Sequence, residues 1–142
     1  MKNVLVLVLL FVSNILMAQS PIGVWKTIDD KTGQPKSQIQ LTVKDGQYSG
    51  KVIKLLRADA DPNRRCTECT DARKGQLILG MEIVRGLKPV GKEWKGGKIL
   101  DPENGTEYGC TIWFEAGKPD ELNVRGYHWT GIYRTQKWYR VK

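Results

Sequence analysis

The sequence predicts an all-β domain, an antiparallel up-and-down barrel or a sandwich of about eight strands, on three observations. Apolar and polar residues alternate with period two along most of the chain, the pattern of strands with one face buried. Turn signals recur between the alternating runs: "DDKTGQ", "KDGQ", "PVGK", "DPENGT" and "AGKPDE". No segment sustains a 3.6-residue apolar period, so helix is confined at most to a short turn in the connection 57–76, near Thr70 to Lys74.

In chain order the strand-like runs are Gly23 to Asp29, Ser37 to Val43, Gln47 to Leu56, Leu77 to Leu87, Glu93 to Leu100, Glu107 to Glu115, Leu122 to Trp129 and Arg134 to Val141. Asp45-Gly46 and Asn104-Gly105 are the strongest hairpin signals, because a type I′ turn needs positive φ at both central positions. In the run Glu107 to Glu115, Tyr108, Cys110, Ile112 and Phe114 share one side, with Thr111 and Trp113 on the other. Both faces carry bulk, so this strand is either wrapped on both sides or shows aromatic rings to a partner. One long connection, Arg57 to Gln76, carries two of the three cysteines.

Ahead of the first strand, MKNVLVLVLLFVSNILMAQS has one Lys, an apolar run from Val4 to Met17 broken only by Ser13 and Asn14, and a small residue, Ala18, before Gln19. That is the layout of a secretory signal peptide. The run is shorter than the roughly twenty residues a helix needs to span a bilayer. Residues 1–18 are therefore expected to be a signal peptide and 19–142 a single domain; cleavage leaves 142 − 18 = 124 residues, enough for one core. No lipidation cysteine follows the apolar run, and no transmembrane segment is expected after cleavage. The expected location is exported.

The chain holds 23 Lys and Arg against 15 Asp and Glu, a net charge of +8, or +7 once Lys2 is removed. Such a surplus suits anionic partners. The cations are spread singly from Lys26 to Lys142, as on the solvated faces and guarded edges of a β-protein. With no recognisable binding motif, no nucleic-acid partner is expected.

"RRCTECTDARKG" admits three readings. Redox chemistry would need Cys66 at a helix N-terminus beside a βαβ unit; Arg64 and Arg65 would help and Glu68 oppose, but that pattern is absent. Zinc could draw on Cys66, Cys69, Cys110 and His128, a Cys₃His inventory in which only the first pair has ligand spacing. The third reading is a Cys66–Cys69 disulfide that tightens the long loop, with Cys110 left as a small buried apolar residue. An oxidising compartment favours this last one.

"DADPN" begins like a calcium loop, but its sixth position is Arg64 and its twelfth Thr70. There is no Gly-x-Ser-x-Gly elbow and no phosphate-cradling loop. Asp29-Asp30 and Asp59/Asp61 read as solvated turn formers. No catalytic residue, metal or cofactor is expected, and a noncatalytic protein is favoured over an enzyme.

The opening Gly23-Val24-Trp25 and the closing "RTQKWYR" resemble lipocalin and calycin barrels, in which a Gly-x-Trp on the first strand packs beneath an Arg of the last. The resemblance implies a lipocalin-like barrel closed by Trp25 and Arg140, with Arg134 competing for the role. A guanidinium over an indole contributes about 1 to 2 kcal/mol when desolvated. The stretches "GVWKTIDDKTGQPKSQIQL", "CTECTDARKGQLILGMEIVRGLK", "EWKGGKILDPENGTEYGCTIW", "VRGY" and "RTQKWYR" are similar to the uncharacterised bacterial family called domain of unknown function 2147. That implies an exported protein of Gram-negative bacteria, periplasmic or extracellular, with no assigned activity. After "VRGY", His128-Trp129-Thr130 stand where an apolar, glycine-containing segment is expected.

Five Trp and five Tyr supply packing and stacking surface. The expected function is noncatalytic binding of a small apolar or amphipathic molecule in the lumen, lined by Trp113, Tyr127, Trp129 and Trp138. The alternative is a structural or interaction protein of the cell envelope that meets acidic lipid or polymer through its basic surface.

Overall fold

The computed structural model describes residues 19–142; the signal-peptide expectation falls on 1–18, outside the described residues. Eight strands follow in order: β1 (Gly23–Ile28), β2 (Pro35–Lys44), β3 (Gln47–Leu55), β4 (Glu82–Val90), β5 (Glu93–Asp101), β6 (Thr106–Trp113), β7 (Glu121–Tyr127) and β8 (Tyr133–Arg140). Each pairs antiparallel with the next, and β1 meets β8 through Trp25↔Arg140 and Lys26↔Tyr139, so the sheet is a closed barrel. Closure removes the unpaired edges that an open sheet would leave. Among the described residues, no helix is long and apolar enough to cross a membrane.

The turns show how far local signals reach. Asp45 (φ 52°) and Gly46 (φ 74°) are both left-handed, as a tight β2–β3 hairpin demands. At Asn104-Gly105 the expected two-residue turn is replaced by a four-residue loop, in which only Gly105 has positive φ and its N–H donates to the Asp101 carbonyl at 2.8 Å. A Cβ at Gly105 would lie 1.9 Å from the Glu68 carbonyl oxygen, because the cysteine loop presses on this hairpin. The fourth strand also starts later than its apolar run. Leu77 makes one isolated bridge to Arg65, and the chain turns at Ile78 to Met81 with Gly80 at φ 90° before β4 begins.

Up-and-down order sends alternate connections to opposite ends. Residues 29–34, 56–81, 102–105 and 128–132 gather at one end, with the turns 45–46 and 91–92 and the loop 114–120 at the other. That second end is solid. Trp25, Ile39, Leu41, Leu87, Ile112 and Leu122 are fully buried there, and the rings of Trp25, Phe114, Trp94 and Tyr48 form a chain with successive centroids 5.9 Å apart.

Candidate functional site: a cavity at the open end

Arg140 seals the solid end. Its guanidinium carbon sits 4.3 Å from the Trp25 ring and its N–H groups donate to the carbonyls of Ser20, Ile22 and Pro119 at 2.9 to 3.4 Å. The Trp25 indole donates to the Pro21 carbonyl at 2.8 Å. Arg134 lies at the opposite end, where it pairs with Asp30 at 2.9 Å. The clasp therefore belongs to Arg140.

Beneath the long connections the interior is not filled. A cavity of about 440 Å³ opens there, within the range of roughly 300 to 1,000 Å³ that holds a small organic molecule. Inward-facing positions of six strands form its wall: Val52, Ile83, Ile99, Val124 and Trp138 are apolar, while Ser37 is polar. Ser37 and Thr27 satisfy each other through hydroxyls 2.8 Å apart. Gly126 and Tyr108 face the same space, and a Cβ at Gly126 would find ordinary contact, 3.5 Å from Tyr108 Cβ.

Ion pairs ring the mouth. Arg57 bridges Asp29 and Glu103; Lys36 and Arg64 approach Glu103 at 3.5 and 3.7 Å. Asp30 accepts from Gln136 at 2.7 Å as well as from Arg134. The Lys31 N–H, and after partial burial has opposed it, Arg57, hold the Asp29 carboxyl below its ordinary range. At Glu103 partial burial resists ionisation, but Lys36 and Arg57 outweigh it and the carboxyl is lowered too. Asp29, Asp30, Glu103 and the cations beside them are thus spent on one another, while Asp59, Asp61 and Asp101 also border the cavity outside these ion pairs.

The four rings named as ligand-lining separate. Trp138 lines the cavity, with its indole N–H 3.4 Å from Gln136 Oε1. Trp113, Tyr127 and Trp129 are not among the lining residues. Alternation explains the first two: Cys110 and Ile112 point inward, so Trp113 points out and stacks with Arg125 at 4.9 Å. Tyr127 lies opposite Gly109 in register and fills the place of its missing side chain, where a Cβ would fall 2.1 Å from the ring. Trp129 stands in the β7–β8 loop, exposed. The residues that do form the wall were legible only as strand parity, since aliphatic side chains and a glycine carry no motif.

Cys66 and Cys69 form a disulfide, with Cα atoms 5.4 Å apart. The other two members of the zinc inventory stand apart from it in the fold: Cys110 is a free thiol buried on β6, pushed up to about 12 by that burial, and His128 borders the cavity mouth. Among the described residues no group of three or more His, Cys, Asp or Glu comes together to hold a metal.

The family model described as "Uncharacterized protein conserved in bacteria (DUF2147)" matches residues 23–140. No curated protein matches the chain. Among solved structures the fold is similar to Protein HP1028 from the human pathogen Helicobacter pylori, described as belonging to the lipocalin family. That likeness has a TM-score of 0.73 at 16% identity and covers 87% of this chain and 84% of the other. At such identity it is a likeness of fold.

Proposed function

The chain belongs to the uncharacterised bacterial family DUF2147, and from that premise we propose that it is a noncatalytic barrel protein that holds a small, partly apolar molecule in its lumen. The cavity carries this reading: about 440 Å³ of largely apolar wall under a rim in which Arg57 pairs with Asp29 and Glu103. A ligand gains there by removing apolar surface from water, at roughly 25 cal/mol per Å² before the cost of association. A polar end would meet the rim and the Ser37, Tyr108 and Gln136 side chains. Titration with a panel of fatty acids and hydrophobic dyes should give a saturable change in Trp emission, with Trp138 as reporter. Gly126→Leu, which fills the lumen from a tolerant position, should weaken the best of these at least about tenfold. A flat titration with every member of the panel would sink the reading.

On this reading the protein acts outside the cytoplasm. The N-terminal layout supports that, as does a disulfide of the kind oxidising compartments preserve. Fractionated cells should release a chain beginning at Gln19; recovery of an intact Met1 in the cytoplasm would overturn it.

A second reading, an envelope protein that binds acidic polymer or lipid, has one observation in its favour. On the β4–β5 hairpin, Arg85↔Lys98 and Lys88↔Lys95 are direct cross-strand pairs, and all four residues are exposed. Gly86 and Gly96, at φ 72° and 73°, interrupt the alternation and bring both pairs to the outer face. Like charges in that position repel. Arg85 and Lys95 find carboxylates at Glu107 and Glu93, so Lys88 and Lys98 are left to an outside anion. Binding to an anionic polymer that Lys88→Glu with Lys98→Glu abolishes, and that about 0.5 M salt screens away, would support it.

A further inference from the structure

The loop His128 to Ile132 is folded upon itself. The His128 N–H donates to the Ile132 carbonyl at 2.8 Å, the Gly131 N–H donates to the His128 carbonyl at 2.9 Å, and His128 Nδ1 lies 3.0 Å from Thr130 Oγ1. A loop held this way presents its side chains in fixed directions. What it presents is apolar: Trp129 is 89% exposed, Ile132 74% and Tyr133, the first residue of β8, 61%. Single exposed hydrophobic residues need no explanation, whereas three together at one loop do. Arg125 stacks on Tyr133 at 4.4 Å and steadies it. Ile132 and Tyr133 also border the cavity, so the apolar surface continues from the loop tip into the lumen.

We propose that this tip docks the open end of the barrel on a lipid bilayer, with Trp129 and Ile132 entering the interfacial region. Area decides between lipid and a protein partner. Two aromatic side chains of roughly 150 to 250 Å² each, with an isoleucine, leave on the order of 400 Å² exposed here. A stable protein interface buries about 800 Å² on each partner, twice what the tip offers. A bilayer demands no matching surface, and Trp and Tyr rings settle at headgroup level with their apolar bodies inward and polar edges toward water. Charge beside the tip points to anionic headgroups: Arg125 on β7 and Arg134 on β8 flank the loop. Arg134 at the foot of the loop keeps a side chain 70% exposed while it pairs with Asp30. Shallow insertion or weak electrostatics alone gives marginal membrane binding, and the two together give stable docking. Docked so, the mouth would exchange an apolar cargo with the membrane without passing it through water.

The test is co-sedimentation of the purified protein with vesicles of phosphatidylcholine alone and of phosphatidylcholine with phosphatidylglycerol, together with Trp quenching by brominated acyl chains. Binding, strongest on the anionic vesicles, is expected, with a quenched Trp component that Trp129→Phe removes while partitioning is kept. Trp129→Ser with Ile132→Ser should lower partitioning at least tenfold, and Trp129→Ser alone, at a residue outside the cavity lining, should leave the lumen's dye binding unchanged. These residues are solvent-exposed, so the variants should keep the wild-type melting midpoint. Three results would overturn docking: no wild-type binding to either vesicle, equal binding by the double variant, or a concentration-dependent dimer that the double variant abolishes, which would assign the tip to a second copy of the chain. A failure of dye binding would remove the cargo reading and leave vesicle binding to be judged by itself.

Discussion

Arg140 gathers five partners at the closed end: the face of Trp25, the carbonyls of Ser20, Ile22 and Pro119, and the Asp120 carboxylate at 3.4 Å. Arg140→Ala removes the stacked cation and these hydrogen bonds together, and should lower unfolding free energy by about 2 kcal/mol in urea titration. Arg140→Lys should recover less than half, because an ammonium lacks the planar fork that reaches several acceptors at once. A loss below about 0.5 kcal/mol would show that the clasp adds nothing to closure. Cys110 is governed by burial alone. With its thiol pushed up to about 12 against an ordinary 9.0, it stays protonated in the folded protein while the unfolded chain ionises. Folding is thus favoured below the ordinary value, and stability falls as pH rises from there toward 12. Native protein should show no fast-reacting thiol at mildly alkaline pH, and one should appear on unfolding.

At the scale of elements, the β3–β4 connection is the part that charge holds in place. Arg73 binds Asp71 and Glu107 at 2.6 Å and donates to the Glu82 carbonyl at 2.9 Å, tying the outer side of the loop to the wall. Arg57 does the same on the inner side through Asp29 and Glu103. Arg73 holds the Asp71 carboxyl at about 2; at Glu107 burial resists, but Arg85 and Arg73 bring the carboxyl down. Because these folded values lie below the ordinary ones, the stability they contribute is present above the ordinary carboxylate range and is lost as pH falls through it toward about 2. Hydrogen exchange should therefore rise in residues 56–81 between about pH 5 and pH 3 while the β7 and β8 amides stay protected. Uniform deprotection of loop and barrel would contradict this.

Over the whole molecule, packing grades from solid at one end to hollow at the other, and two glycines read the gradient. A Cβ at Gly50 would come within 2.7 Å of Leu41 Cδ2 and 3.0 Å of Ile39 Cγ2, whereas at Gly126 the nearest atom is 3.5 Å away. Gly50→Ala should destabilise by about 1 to 3 kcal/mol, as overpacking does. Gly126→Ala should stay within about 0.5 kcal/mol of wild type in the same thermal melts. Equal costs would mean that the open end is as full as the closed one.

Strand number and antiparallel order follow from the chain itself, because alternation and turn residues act over a few neighbouring positions; the meeting of Trp25 with the last strand is what the resemblance to lipocalin barrels implies. Asp45-Gly46 turns as its residue types require, and β4 departs from its apolar run only where Gly80 and the cysteine loop bend it. What only tertiary structure decided is which bulky rings the lumen sees and how the mouth is lined. Trp113 and Tyr127 point outward through strand parity, and left-handed Gly86 and Gly96 shift that parity where no local pattern announces it. The ion ring joins Asp30 to Arg134 and Arg57 to Glu103 across the barrel. Such contacts exist only after closure, since charge pairing and burial depend on distance in space between residues that the sequence keeps far apart.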